Sequence, residues 1–401
     1  MKNMISDKVK SIQPSMTLAI TAKANQLNKQ GYDVVAFGVG EPDFDTPDSA
    51  KEAGIAAIEA GKSKYTPVAG LLELRQGICE KLKKDNHLDY TPDQIITNSG
   101  AKHSLSTAFQ AILDSGEEVI LAAPYWVSYP EIIKIAGGKP VIIETKEANN
   151  FKITVDELKE AITDKTKAIL LNSPSNPVGA IYSREELEGI AKIAVENSIY
   201  VVSDEIYERL IYDGNLHVSI AEINPEIKKL TIIINGMSKS YAMTGWRLGY
   251  AAANKEVIKA MGIIQGHAVS HPSSITQYAA LGALQCEESV LQKMFDEYDI
   301  RRKYMISRLD EMKPLTYIYP EGAFYVFINV SGLFGKSYNG KSVHSSLELA
   351  DTLLEDEKVA VVPGIAFGLD THIRLSYATS LEEIKKGLDR IESFIKQGVK
   401  A

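Results

Sequence analysis

Ile232-Ile233-Ile234-Asn235-Gly236-Met237-Ser238-Lys239-Ser240-Tyr241-Ala242-Met243-Thr244-Gly245-Trp246-Arg247-Leu248-Gly249-Tyr250 runs from apolar, strand-like sequence into a loop of small and hydroxyl residues. The loop holds one lysine, Lys239, with Arg247 eight positions downstream. A lysine amine condenses with an aldehyde only when unprotonated, and partial desolvation with neighbouring cationic charge lowers its pKa for that task. An arginine presents a planar, permanently charged fork suited to phosphate. An aldehyde and a phosphate on one small molecule describe pyridoxal phosphate (PLP), which makes Lys239 a candidate Schiff-base lysine. The plain alternative for Ser-Lys-Ser is a solvated loop lysine.

Two upstream segments share this design. Ile199-Tyr200-Val201-Val202-Ser203-Asp204-Glu205-Ile206-Tyr207 reads as a buried parallel strand that stops at Asp204. Ligand groups in open α/β sheets gather at the carboxyl ends of strands. A carboxylate there can pair with a protonated pyridine nitrogen; alternatively, Asp204 caps the next helix. Tyr207 reaches back to the ring's phenolic oxygen if the chain turns helical after Asp204. Leu171-Asn172-Ser173-Pro174-Ser175-Asn176-Pro177-Val178-Gly179 follows the apolar run Ala168 to Leu171 and is dense in turn residues. It is either an ordinary turn or the carrier of the Asn176 amide, aimed at the same phenolic oxygen and a substrate carboxylate.

In order and spacing, Ser-Pro-Ser-Asn-Pro-Val-Gly, Val-Ser-Asp-Glu-Ile-Tyr and Ser-Lys-Ser with Met-Thr-Gly-Trp-Arg-Leu-Gly-Tyr resemble the class I/II aminotransferases of PLP fold type I. Gly40-Glu41-Pro42-Asp43-Phe44, Lys64-Tyr65-Thr66-Pro67, Pro124-Tyr125-Trp126-Val127-Ser128-Tyr129-Pro130 and Arg374-Leu375-Ser376-Tyr377-Ala378 are similar to the bacterial aspartate aminotransferase subgroup Ib. The resemblance extends from Ser11 to the C-terminus. It implies an α/β fold of the aspartate aminotransferase type, with a large domain on a mostly parallel seven-stranded sheet and a smaller α+β domain. It also implies a homodimer with composite active sites. The corresponding division is an N-terminal arm at 1–14, small-domain segments at 15–46 and 289–401, and a large PLP-binding domain at 47–288.

The residues themselves agree with an α/β chain. Strand-like runs at Glu118–Ala122, Pro140–Glu144, Ala168–Leu171, Tyr200–Ser203 and Leu230–Ile234 alternate with helical stretches such as Arg184–Glu196 and Lys255–Ile264. Beyond Leu284, charged helical sequence gives way to short strands at Thr316–Tyr319, Phe324–Asn329, Val359–Val362 and His372–Leu375. The chain has 401 residues, enough for two domains, and a net charge of −8 that argues against a nucleic-acid partner. Its two cysteines, Cys79 and Cys286, form no metal or redox motif and read as reduced core residues of a cytoplasmic protein. No apolar run approaches the ~20 residues of a membrane helix. His217, His267, His271 and His344 give no metal-ligand set, and His103 reads as a helix-start residue.

The resemblance implies further roles. Ser99-Gly100-Ala101-Lys102, between strand-like Gln94–Thr97 and helical Ser104–Leu113, matches the segment whose backbone N–H groups meet the phosphate; by itself it is an ordinary helix start. Ser238 and Arg247 match phosphate ligands, Trp126 the aromatic stacked on the pyridine, and Tyr65 a residue reaching the phosphate of the neighbouring subunit. Without the resemblance, Trp126 reads as core and Tyr65 as a loop residue. Arg374 matches the arginine that grips the substrate α-carboxylate, near Gly40, Trp126 and Asn176, where the alternative is a salt-bridged strand-edge arginine. Lys102, Ser15 and Thr17 match the approach to a distal carboxylate. Two positions depart from the common pattern: Val178 replaces the usual threonine, and Gln13 stands where some prephenate-using relatives carry lysine. The implied reaction is ping-pong transfer of an amino group from L-aspartate to 2-oxoglutarate, with Lys239 as acid–base. Aromatic or broad-specificity aminotransferases, prephenate users included, are alternatives, and a PLP-binding regulator is a remote one.

Overall fold

Apolar runs bounded by turn residues become the strands of one central sheet in the computed structural model, which describes residues 5–400. The strands are β1 (Ile95–Asn98), β2 (Glu118–Ala123), β3 (Lys139–Glu144), β4 (Thr166–Asn172), β5 (Tyr200–Asp204), β6 (Thr231–Gly236) and β7 (Gly249–Ala252). Their spatial order is β1-β7-β6-β5-β4-β2-β3. Only β7 runs antiparallel to its neighbours. Alternation along β6 sends Ile232 and Ile234 into one core and Ile233 into another, as a strand covered on both faces requires.

From β2 the chain steps outward to β3, then returns to β4 on the other side of β2 and proceeds through β5 and β6. The loops leaving β2 and β4 therefore diverge and open a crevice at the carboxyl ends of the strands. Helices cover the sheet. Arg184–Glu196, matching its expected bounds, starts at a capping box in which Ser183 and Glu186 bond each other's backbone N–H. It buries Leu187, Ile190, Ala191 and Ala194 along one stripe.

The smaller sheet holds β8 (Thr316–Tyr317), β9 (Tyr325–Asn329), β10 (Val362–Pro363) and β11 (His372–Ser376), antiparallel in the order β10-β11-β9-β8. The N-terminal segment joins this half of the molecule. Val35–Ala36 pairs in parallel with Val359–Ala360, and the Arg301 guanidinium bonds Asp43 at 2.8 Å.

Several expectations shift. Val359–Val362 is two short strands in different sheets, because Val359–Ala360 pairs with the N-terminal segment while Val362–Pro363 turns to β11. The helix expected at Ser104 starts at Ala101, directly after Gly100, and that expected to end at Ile264 continues to Ala268. No helix follows Asp204. Its carboxylate accepts the Ile206 N–H at 3.2 Å and Glu205 N–H remains bonded to Ile234, so the chain leaves the sheet in a turn. Cys79 and Cys286 are unpaired and lie half-buried at the rim of the core rather than within it. Of the arm expected over 1–14, residues 1–4 fall outside the described residues, and Asp7–Lys10 is one exposed helical turn. Among the described residues no helix is long and apolar enough to cross a membrane.

Candidate active site

The crevice at the strand ends is a cavity of about 420 Å³. Asp204 ends β5 at its floor, only 4% exposed. Tyr129 donates to one carboxylate oxygen at 2.8 Å and Ile206 N–H to the other. Burial nevertheless pushes this carboxyl up to about 6, since these bonds only partly offset the lost hydration and Glu205 adds repulsion. Tyr207 follows on the turn, its hydroxyl 2.9 Å from that of Tyr325.

Lys239 sits in the loop between β6 and β7, whose mouth is closed by Met237 N–H bonding Leu248. Its residue surface is partly open to the cavity, but its amine lies 5.9 and 5.6 Å from the centroids of the Tyr207 and Phe324 rings and donates to the Gly40 carbonyl. Burial pushes the amine down to about 8; Glu41 and Asp204 oppose the shift while Arg374 and Arg247 reinforce it. A substantial neutral fraction near pH 8 suits a nucleophile and proton acceptor.

The end of β1 supplies an anion cradle. Gly100 has φ +90° and caps the helix Ala101–Ile112, whose first residues, Ala101 and Lys102, line the cavity. A Cβ on Gly100 would lie 2.3 Å from an Arg247 nitrogen, and one on Gly249 would lie 2.2 Å from Ala101 N. Glycine at these two places lets the Lys239 loop press against the helix start. Arg247 is steadied by the carbonyls of Thr244 (2.9 Å) and Ser99 (3.4 Å), with Ser238 buried beside Lys239. The Lys102 amine lies 4.8 Å from the Trp126 ring, and its pKa is lowered by burial and by Arg247.

Arg374, on β11, is 3% exposed. It donates to Asn176 Oδ1 at 2.9 Å and to the Gly38 carbonyl at 3.0 Å, while its buried Nε has no hydrogen-bond partner. This engagement turns the Asn176 amide NH2 away from Arg374, free to serve as a donor. Val178, the departure from the usual threonine, is buried in an apolar cluster with Phe327 and Phe367 and leaves that amide arrangement intact. Ser15 and Thr17 bond each other at 2.9 Å at the start of the helix Met16–Lys29.

Of the residues singled out from sequence, Lys239, Asp204, Tyr207, Ala101, Lys102, Trp126, Asn176, Ser238, Arg247, Gly40, Arg374, Ser15 and Thr17 line this cavity. Gly100 is not among the lining residues but directly precedes Ala101, which is. Tyr65 does not reach it within one chain: it is 91% exposed and packs edge-on against His271. Sequence reasoning passed over Tyr129, Tyr325 and Glu41, although Tyr129 and Glu41 stood inside quoted motifs. Nor does the sequence reading give His217 a ligand set. His217, Glu205 and Glu208 form a buried group behind Asp204 whose ligand atoms lie within 4.8 Å of one another. Those carboxylates are already engaged: Glu208 by Lys81, Asn86 and Asn235, and Glu205 by Ser203, Ser219 and His217. The group is an ion network in which both carboxylates are engaged, while His217 Nδ1 is buried without a hydrogen-bond partner.

An enclosed amine of lowered pKa, a buried carboxyl, a helix-start cradle that no Cβ could enter, and an unmet guanidinium donor fit the aldehyde, ring nitrogen, phosphate and substrate of PLP chemistry. Fold and site together define a PLP-dependent transferase. The model of the class I and II aminotransferases matches residues 32–391, and the chain belongs to that family. It is similar to the aspartate aminotransferase of Bacillus sp. (strain YM-2), at 49% identity over 99% of this chain and 100% of the relative. The aspartate aminotransferase structure from Rhizobium meliloti superposes with a TM-score of 0.96 at 41% identity, covering 99% of this chain and 100% of that one. The Thermus thermophilus aspartate aminotransferase with maleate gives 0.92 at 42%, covering 98% and 100%.

Proposed function

We infer that this enzyme transfers the amino group of L-aspartate to 2-oxoglutarate, giving oxaloacetate and L-glutamate. One observation carries the substrate reading: Arg374 and Lys102 line one cavity, so two carboxylates of one acid each find a cation. The 49% identity with an aspartate aminotransferase supports it. Arg374 with Asn176 takes the α-carboxylate, while Lys102, Ser15 and Thr17 take the distal one. Gly100, Ala101, Ser238 and Arg247 would hold the cofactor phosphate, Asp204 would pair the ring nitrogen, Tyr207 and Asn176 would meet the phenolic oxygen, and Trp126 would cover the ring. Bound PLP supplies an electron sink for the substrate carbon. Lys239 Nζ removes the proton from the substrate Cα and returns a proton as acid.

The proposed unit is a cytoplasmic homodimer divided as arm 1–14, small domain 15–46 with 289–401, and large domain 47–288. Exposed Ile263 and Val269 share the face that carries Tyr65 and Val68, the last packed near Gly266, which suits a partner surface. Tyr65 would then reach the phosphate of the partner subunit's site. Mixing Tyr65→Ala with Arg247→Ala subunits should restore activity through one intact site per hybrid; no recovery after confirmed exchange refutes the composite site. The substrate reading is tested by the visible spectrum of the PLP-loaded protein with L-aspartate and no keto acid. Bleaching with release of oxaloacetate supports it, whereas a response only to aromatic amino acids or alanine moves the substrate.

A further inference from the structure

Tyr325 touches both halves of the cavity, and no motif names it. It opens β9 two residues before Phe327, which pairs with Arg374 across the β9–β11 ladder. Tyr325 is therefore the diagonal neighbour of Arg374 on the same sheet face. Its ring centre lies 4.2 Å from the guanidinium carbon, and its hydroxyl 2.9 Å from that of Tyr207. Gly40 presses on the same hydroxyl, which a Cβ there would approach to 2.9 Å. At 1% exposure, ring and hydroxyl are both fully committed to these neighbours.

We propose that Tyr325 is a positioning residue for both ends of the reaction: its ring face fixes the Arg374 guanidinium, and its hydroxyl aims the Tyr207 proton into the cavity. The second task rests on the reading that Tyr207 bonds the cofactor's phenolic oxygen. A phenol donates one hydrogen bond and accepts others. With an anionic oxygen before it, Tyr207 donates forward, and Tyr325 completes the chain by donating to Tyr207. The adjacent guanidinium strengthens Tyr325 as that donor.

Two substitutions in the holoenzyme separate the tasks. Tyr325→Phe removes only the hydroxyl and keeps the apolar packing; Tyr325→Leu also removes the aromatic face. The readouts are the pH midpoint of the visible band of Lys239-bound PLP and the dissociation constant of maleate, an unreactive dicarboxylate. Tyr325→Phe should move the midpoint by roughly half a unit or more while maleate affinity changes less than about twofold. Tyr325→Leu should weaken maleate about tenfold. Tyr207→Phe should move the midpoint at least as far as Tyr325→Phe, and combining the two should move it no further. An unmoved midpoint in Tyr325→Phe, or additive shifts, overturns the hydroxyl's role. Unchanged maleate binding in Tyr325→Leu overturns the ring's role. A midpoint that Tyr207→Phe leaves in place refutes the Tyr207 reading together with the relay built on it, a result separate from failure at Tyr325 alone.

Discussion

Asp204→Asn should stabilise the cofactor-free protein while abolishing turnover. Burial raises the Asp204 carboxyl from 3.8 to about 6 despite the Tyr129 and Ile206 bonds. A carboxyl whose folded pKa exceeds its unfolded value binds a proton more tightly when folded. Folding therefore loses stability as pH rises from about 4 to 6, and the deficit is complete above that window. About two pH units at about 1.4 kcal/mol each give a penalty of roughly 3 kcal/mol at pH 8. Asparagine removes the charge, keeps an acceptor for Ile206 N–H and offers an amide to Tyr129. With an unfolding entropy of about 2 cal/mol/K per residue, the gain corresponds to a Tm rise of about 3–4 °C for one cooperative unit of this length. Calorimetry of cofactor-stripped parent and variant at pH 4 and pH 8 checks this. The gap should open with pH; a gap independent of pH, or a parent more stable at pH 8, refutes the reasoning.

Arg374→Lys keeps the charge but loses the fork that bonds Asn176 and Gly38. With charge-assisted bonds worth about 1.5–3 kcal/mol each, steady-state kinetics should show KM for amino acid and keto acid rising together, roughly 10–100-fold; a rise in only one contradicts a shared carboxylate site. Gly100→Ala places a Cβ against Arg247 and strains a backbone at φ +90° by about 1–3 kcal/mol. Equilibrium dialysis should find PLP binding weakened about tenfold, and unchanged affinity would mean the cradle tolerates the methyl. Lys81→Met leaves buried Glu208 with only its asparagine donors. Burial pushes the Glu208 carboxyl up, but Lys81, with His217 and Asn86, holds it down at about 2. The parent's stabilisation from this group is complete above about 4.5 and lost as pH falls toward 2, so a variant deficit of about 3–5 kcal/mol in urea unfolding should shrink over that window.

The proposed catalytic residues are readable because they sit one after another where apolar strands stop: Asp204 at the end of β5, Lys239 beyond β6, Asn176 beyond β4. Such endings are local signals. β7 was not read as a strand, since Gly249-Tyr250-Ala251-Ala252 is short and poor in β-branched residues and owes its place to pairing with β1 and β6. The Tyr129–Asp204 bond joins residues far apart in the chain, as do Tyr207–Tyr325 and Lys81–Glu208. No spacing encodes such contacts; tertiary packing creates them. Tyr207 lines the cavity through a turn rather than the anticipated helix, because the Asp204 carboxylate, three residues earlier, takes the Ile206 N–H.

The loop from Met237 to Leu248 is pinned at both ends by a hairpin ladder, Gly236 opposite Gly249, and carries both Lys239 and Arg247. The proposed covalent tether of the cofactor and its proposed phosphate anchor thus belong to one short, closed segment. The groups proposed to sort substrates come from remote addresses, Ser15 and Thr17 near one terminus and Arg374 near the other. Drift in the outer parts of the chain can then retune which acids are accepted while the grip on the coenzyme is inherited unchanged.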